Sequence, residues 1–588
     1  MAQHRVKANY EKRPVISVPD QEQQAWFGWE SIKAKLSQAI LNKEKKKVIV
    51  AIECYTGVNL SELHSHLDNI QPNVVVIKSE DVFKSVEEID AMVLPDVTED
   101  PVFGYLTRLC VDDFFDQKKV NKAKEQIERA PGITIVLGTG ASKLCEPDVL
   151  VYADMPRWEG QLRYRRNEAS NMGADNASLS GSLQYKRAYF VDWRVCDRLK
   201  KSLFEKWDFY LDTVIPDSPK MATGASILKG LKHCLTRPFR VVPFFDPGPW
   251  GGQWMKEVCD LDRSQINYAW CFDCVPEENS LILDINGVEI EVPSINLVFY
   301  QPSQFMGERV HARFGDEFPI RFDFLDTMEG GNLSLQVHPL TEYIQTHFGM
   351  HYTQDESYYI LDASEGAFVY LGLKENIIPT DLINDLEKSG SLGVFDAEKY
   401  VEKWPVKKHN HVLIPAGTIH CSGKDSMVLE ISATPYIFTF KLWDWGRLGL
   451  DGKPRPININ RGKENIQWER TTSWTRNNLI NRIEKIAEGD GWLEERTGLH
   501  HTEFIETRRH WFTKTVTHHT DGLVNVLNLI EGEEAIIESP LNAFEPYIVH
   551  YAETFIVPAN VGEYTITPHG AAAGTQCGTI KAFVRTNP

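Results

Sequence analysis

Two textures divide this chain, and the change between them near residue 237 constrains its fold more than any other feature. Before it, short apolar runs alternate with amphipathic stretches. VIVAIE (48–53) has the continuous apolar character of a strand buried on both faces. The loop CYTGV follows, and NLSELHSHL then opens a helix, with Asn59 as N-cap and Glu62 three residues on. The alternation continues through VVVIKS, VNKAKEQIERA, ITIVL (133–137) with its glycine loop GTGAS, VLVYAD (149–154) and the arginine-rich WEGQLRYRRN. Such an order predicts an α/β domain over 1–235, built on a mostly parallel sheet with helices on both sides.

After 237, short strands, Pro/Gly turns and alternating polarity take over, the pattern of β-sandwiches or barrels. Two stretches interrupt it. Residues 375–400 read as loop-rich and partly helical, and ENIQWERTTSWTRNNLINRIEKIAEG, around 465–498, reads as a helical insertion. A faint repeat runs through this half. LIPAGTIHC (413–421) resembles FIVPANVGEY (555–564), and each follows a strand, a Glu-Gly turn and a second strand. Two copies of one β unit are expected, a first over 237–465 and, after an insertion at 466–500, a second over 501–588. The second has Glu563 and Tyr564 where the first has His420, so it is expected to be metal-free.

Composition excludes some roles. With 82 acidic against 63 basic residues the formal charge is −19, which argues against nucleic acid and anionic membranes as partners. MAQHRVKANYEKRP has no apolar core, so a secretory signal is not expected, and no run reaches the roughly 20 apolar residues of a membrane span. The ten cysteines are scattered. Only Cys271 and Cys274 form a CxxC, and without a second pair it reads as structural. These features predict a soluble cytoplasmic protein, and oligomeric state stays open.

Within the first β unit, NLSLQVHP (332–339) alternates Leu333, Leu335 and Val337 with Ser334, Gln336 and His338. One strand face therefore carries a hydroxyl, an amide and an imidazole. Glu356, where a polar stretch enters the strand of QDESYYIL, and His420, after the turn Pro415-Ala416-Gly417, complete a candidate set. Two histidines and a carboxylate from three segments suit zinc or another borderline divalent ion and leave coordination positions open.

NLSLQVHP, DESYYIL and IPAGTIH, in this order, closely resemble the zinc-binding motifs of type I phosphomannose isomerases. So do FPIRFDFLDT (318–327), VPFFDPGPWGGQW (242–254) and KLWDWGRLGLDGKPRPININ (441–460), and the resemblance covers about 237–588. It implies two cupin (jelly-roll) barrels, the first holding one Zn²⁺ through Gln336, His338, Glu356 and His420. It also implies aldose–ketose isomerisation of a sugar phosphate, mannose 6-phosphate to fructose 6-phosphate, through an enediol. That chemistry needs a base near C1 and C2 and a cation for the developing oxyanion. Glu430, in MVLEIS, aligns with a family carboxylate suited to be the base, while His347 and His351 are weaker acid–base candidates. The family's catalytic arginine aligns with Lys441, and Arg447 is near it in sequence. Lys441, Arg447 and Ser334 are the expected substrate contacts.

The departures concern charge. Asp323 stands where family members usually carry lysine, and Gln354 and Asp355 precede the metal glutamate where many carry another. Phosphate-binding cations are thus depleted, which leaves an isomerase of an unphosphorylated sugar as one alternative and a non-catalytic, sugar-sensing regulator as another. In the N-terminal domain, VIVAIECYTGVNLSEL and VLVYADMPRWEGQLRYRRN resemble segments of uridine-kinase-like P-loop kinases. The phosphate-binding motif is missing, since aligning Gly57 with its second glycine puts Ile52, Val58 and Asn59 in the slots for Gly, Lys and Ser/Thr. A degenerate, catalytically inactive kinase-like domain is expected, with ligand binding, regulation and oligomerisation open as its role. Arg157, Arg163, Arg165 and Arg166 are expected to form a solvated helix face.

Overall fold

The computed structural model describes residues 8–19, 24–68, 70–450, 452–498 and 500–586. The start of the N-terminal stretch weighed as a possible leader, residues 1–7, lies outside them. The chain forms two compact units whose sequences interleave: residues 15–233 with 277–300, and residues 1–14 with 234–276 and 301–588. This corrects the simple boundary at 235, because a short hairpin encoded beyond it returns to the α/β unit and residues 8–14 join the β-rich one.

The α/β unit has a seven-stranded sheet. Its parallel strands are Lys47–Cys54, Val74–Lys78, Gly132–Gly138, Val149–Asp154 and Phe209–Asp212. Numbered in chain order, they lie 2-3-1-4-5 across the sheet, and Lys220–Thr223 and Ala25–Phe27 extend the last edge antiparallel. The central strand is buried along most of its length, as a strand covered on both faces must be. Helix Leu60–Leu67 starts where expected: Asn59 accepts from the Glu62 backbone N–H at 3.2 Å. The later hairpin, Ser280–Ile285 with Val288–Pro293, turns at Asn286-Gly287, both at positive φ, and pairs with Val15–Ser17.

The other unit holds two pairs of antiparallel sheets. In the first, six strands run in the order His411–Ile414, Glu356–Ala363, Ser426–Ala433, Ile320–Asp326, Trp270–Cys274, Phe244–Asp246. Five more run Val401–Pro405, Phe368–Leu373, His420–Ser422, Leu335–Val337, Phe440–Trp443. The second pair has six strands and four, enclosing an apolar core that includes Phe512, Leu527, Leu529, Ile537, Phe555 and Ile566. The repeat is visible in the structure. His411–Ile414 leaves the first six-stranded sheet and His420–Ser422 enters its five-stranded companion, just as Thr554–Val557 and Glu563–Pro568 link the second six- and four-stranded sheets.

The expected helical insertion at 466–500 is corrected. Only Thr472–Asn478 is helical, while Glu484–Gly489 and Trp492–Gly498 form a hairpin that extends the second six-stranded sheet through Ile505–Phe512; residue 499 lies outside the described residues. The charged run that favours a helix locally becomes a ladder of cross-strand ion pairs instead: Arg496 with Glu484, Glu494 with Arg508 at 3.1 Å, and Glu495 with Arg509 at 2.7 Å. Residues 375–400 contain the helix Pro379–Leu392, as expected. No helix among the described residues is long and apolar enough to cross a membrane.

Candidate metal centre

Three strands and one tight turn bring the predicted ligands together. Gln336 lies on Leu335–Val337 and is the direct antiparallel partner of His420, and His338 follows two residues on. Glu356 opens its strand on the other sheet, so the group forms between the two sheets. Among the described residues, His338, Glu356 and His420 are the one group that brings three potential ligand atoms within 4.8 Å of one another, all buried. Glu356 meets His420 Nε2 at 2.8 Å and His338 Nε2 at 3.2 Å, and the Gln336 amide lies 3.3 Å from His420 Nε2.

The backbone orients both rings. His420 Nδ1 bonds the Thr418 carbonyl at 2.8 Å and His338 Nδ1 the Phe438 carbonyl at 3.4 Å, which leaves each Nε2 turned to the carboxylate. Imidazoles anchored in this way present a lone pair to a metal in a fixed direction. Burial pushes the Glu356 carboxyl up, but the two histidines outweigh it and hold it well below the ordinary range. Two neutral-capable imidazoles, one ionised carboxylate and an adjoining amide fit zinc or a similar divalent ion. The turn before His420 depends on Gly417, at φ +87: its N–H donates to the His338 carbonyl at 3.0 Å, and a Cβ there would lie 2.8 Å from the Asn465 carbonyl oxygen.

The neighbouring candidates divide. Lys441 is directly opposite Gln336 on the adjoining strand, and its ammonium makes no hydrogen bond among the described residues. Burial and the nearby Arg455 lower it to about 8. Glu430 is buried on the facing sheet, pushed well above its usual range by burial and by Glu356. It accepts from Ser432 at 2.8 Å and from the Gln354 amide at 3.2 Å, and the same amide reaches Glu356 at 3.1 Å.

Ser334 and Arg447, expected as substrate contacts, are both engaged within the protein. The buried Asp444 carboxylate claims both, taking the Ser334 hydroxyl at 2.9 Å and the Arg447 guanidinium at 2.7 Å, while Arg447 also donates to the Asn332 carbonyl. A buried carboxylate needs such compensation. His347 and His351 are exposed and stand outside the ligand group. Two arginines were missed from sequence. Arg455 joins Asp444 at 3.1 Å, and Arg321 pairs with Asp323 and lies 3.7 Å from Glu430. Arg321 was detectable in principle, since it shares a strand face with Asp323 two residues away.

In the α/β unit the loop after Lys47–Cys54 is closed by the protein's own side chains. The buried Glu53 carboxylate accepts from the Gly140 and Ser142 backbone N–H groups at 2.6 and 2.8 Å, and burial raises it to about 7. Arg163 donates to the Gly57 carbonyl at 3.0 Å and to Glu159 at 2.9 Å, and Arg157 pairs with Asp197 at 2.6 Å. Both arginines are buried, which corrects the solvated-face expectation for them, while Arg165 and Arg166 are exposed.

Residues 28–236 match a family model described as a domain of unknown function, DUF8485. A mannose-6-phosphate isomerase, ManA, of Bacillus subtilis is 28% identical over 233 residues, 40% of this chain and 69% of that protein. A mannose-6-phosphate isomerase of Streptococcus mutans is 25% identical over 214 residues, 36% of this chain and 62% of that protein, so the chain spans somewhat under two thirds of it. Among solved structures, a mannose 6-phosphate isomerase from Bacillus subtilis aligns with TM-score 0.48 and 19% identity, covering 59% of this chain and 99% of that one. A zinc-bound mannose 6-phosphate isomerase aligns with TM-score 0.44 and 12% identity, over 59% and 99%.

Proposed function

We propose that the chain is a divalent-metal-dependent aldose–ketose isomerase acting on a sugar phosphate, with mannose 6-phosphate and fructose 6-phosphate as the pair to test first. The observation that carries this reading is the buried His338–Glu356–His420 group, with both imidazoles oriented by backbone carbonyls. Sequence relatives named as mannose-6-phosphate isomerases support it. Gln336, His338, Glu356 and His420 would hold the ion, zinc by the chemistry of the donors, and when bound it supplies Lewis-acid stabilisation of oxygen charge.

The chain's own residues handle the proton that moves between C1 and C2. Lys441 is the better placed of the two candidates: it faces Gln336 across the strand ladder and is unbonded, whereas Glu430 is engaged by Ser432, Gln354 and Arg321. We assign Lys441 to proton transfer or to the oxygen that gains charge, and Glu430 to positioning Glu356 through Gln354. Arg455, near Lys441, and Arg447 are both gathered on Asp444 and form a cationic flank.

One observation favours a second reading, an unphosphorylated sugar substrate: both flanking arginines already satisfy Asp444. Incubating zinc-loaded protein in D₂O with mannose 6-phosphate, and in parallel with free mannose, separates the two by NMR. Turnover with deuterium entering C1 or C2 of the phosphosugar supports the first reading. Turnover of free mannose alone supports the second, and no exchange on either sugar with the metal retained overturns both.

A further inference from the structure

Positive charge gathers in one place on a chain that is acidic overall. The formal charge is −19. Yet an open cleft of about 610 Å³ on the β-rich unit is lined by Arg482, Arg496, Arg585 and His501, with Glu484 the one acid among its described lining residues. Its volume falls in the range of about 300–1,000 Å³ typical of small-molecule sites. The three arginines come from separate segments. Arg482 follows the helix Thr472–Asn478, Arg496 lies on Trp492–Gly498, and Arg585 follows the last strand, Cys577–Val584. Like charges drawn together in this way repel one another, and a bound anion relieves the repulsion.

The backbone around the cleft is fixed. Asn481 exchanges two bonds with His411: its side-chain carbonyl accepts from the His411 N–H at 2.9 Å, and its own N–H donates to the His411 carbonyl at 2.9 Å. The Arg585 backbone N–H donates to the Phe504 carbonyl at 2.7 Å, and its Nη2 donates to the Glu503 and His501 carbonyls at 2.5 and 3.5 Å. Neutral carbonyls anchor that side chain without cancelling its charge, and its Nε and Nη1 make no hydrogen bond among the described residues. Burial and the charge of Arg585 together lower Arg313. Arg482 is exposed and makes neither a hydrogen bond nor an ion pair among the described residues. Arg496 meets an acid, Glu484 across the hairpin. Three arginines against one glutamate leave the cleft net positive.

We propose that this cleft binds a phosphate-bearing anion, either free phosphate or a small phosphomonoester, held by Arg482 and Arg585 with His501 and Arg496 beside them. Guanidinium forks match phosphate oxygens bidentately. A dianion also compensates the excess charge better than a singly charged carboxylate does. No residue of the metal-ligand group lines the cleft, so this site stands whether or not the isomerase reading holds.

The test titrates inorganic phosphate, glycerol phosphate and AMP into the full-length protein by calorimetry in about 0.15 M salt, where exposed charges farther apart than about 8 Å are largely screened. Saturable binding of at least one of them is expected, weakened about tenfold or more in Arg482→Gln and in Arg585→Gln and preserved in Lys441→Met. Arg482 is exposed and without partners among the described residues, so its variant decides the matter if Arg585→Gln fails to fold. Tighter binding of glycerol phosphate or AMP identifies a phosphomonoester, and tighter binding of inorganic phosphate identifies the free ion. Three results overturn the proposal: no saturable binding to the wild type, binding that either folded arginine variant retains at full strength, or binding that only Lys441→Met loses, which belongs to the metal centre.

Discussion

Replacing Glu356 by Gln separates the cost of the buried site from its metal affinity. The substitution keeps shape and removes one charge, the only carboxylate among the ligand atoms. In the metal-free protein that carboxylate is desolvated and compensated by two histidines at 2.8 and 3.2 Å. Removing one partner of such a buried group costs stability, because here the attraction outweighs the desolvation penalty. In the metal-loaded protein a second loss adds to the first. Free zinc at 100 times the dissociation constant stabilises the folded state by about 2.7 kcal/mol. If losing the carboxylate weakens zinc about 100-fold, the same zinc concentration leaves only about 0.4 kcal/mol. Glu356→Gln should therefore unfold below the wild-type temperature in chelator and also lose nearly all of the zinc-dependent rise. Differential scanning calorimetry with and without zinc, alongside metal analysis of the purified protein, reads both quantities. An unchanged zinc-dependent rise in Glu356→Gln would refute the assignment of Glu356 as a ligand.

Three further outcomes are expected. Lys441→Met should lower isomerisation by about 10²–10⁴-fold in steady-state assays while zinc content stays at the wild-type level; a rise in KM alone would mean that Lys441 does not act on the proton. Gly417→Ala should cost about 2 kcal/mol from its positive φ and close contacts and reduce zinc retention, measured by denaturant unfolding and metal analysis. His411 is buried and lowered to about 3 by desolvation, with Arg509 adding to the effect. Its folded pKa lies below the unfolded value, so the unfolded chain binds the extra proton, and the stability it contributes is complete above about pH 6.5 and lost as pH falls toward 3. At pH 5 this loss is about 2 kcal/mol, and His411→Asn should flatten the acid limb of a stability–pH curve.

How much of this was legible in the sequence depended on whether the signal was local. Continuous apolar runs marked the central parallel strands because a strand covered on both faces has no polar side to show. The grouping of His338, Glu356 and His420 was legible in part: period-two alternation put Gln336 and His338 on one strand face, while their meeting with Glu356 and His420 rested on the resemblance of the three motifs. The hairpin at 484–498 was not, since its residues favour a helix by themselves and only the facing strand Ile505–Phe512 supplies Arg508 and Arg509 to the ladder. The partner of Ser334 was hidden for a related reason: Asp444, which takes its hydroxyl, lies 110 residues away.

The two barrels show why residue types alone do not define a site. Each contains a pair of histidines and a glutamate near its interior. In the first, Glu356 comes from the sheet facing His420, so its two oxygens reach both imidazoles and the three donors converge. In the second, Glu494 is the cross-strand neighbour of His510 on the same sheet, its charge is shared with Arg508, and His518 approaches from the opposite sheet without reaching a carboxylate. A carboxylate across the barrel lets three donors converge, whereas one beside its histidine on the same sheet only orients the ring.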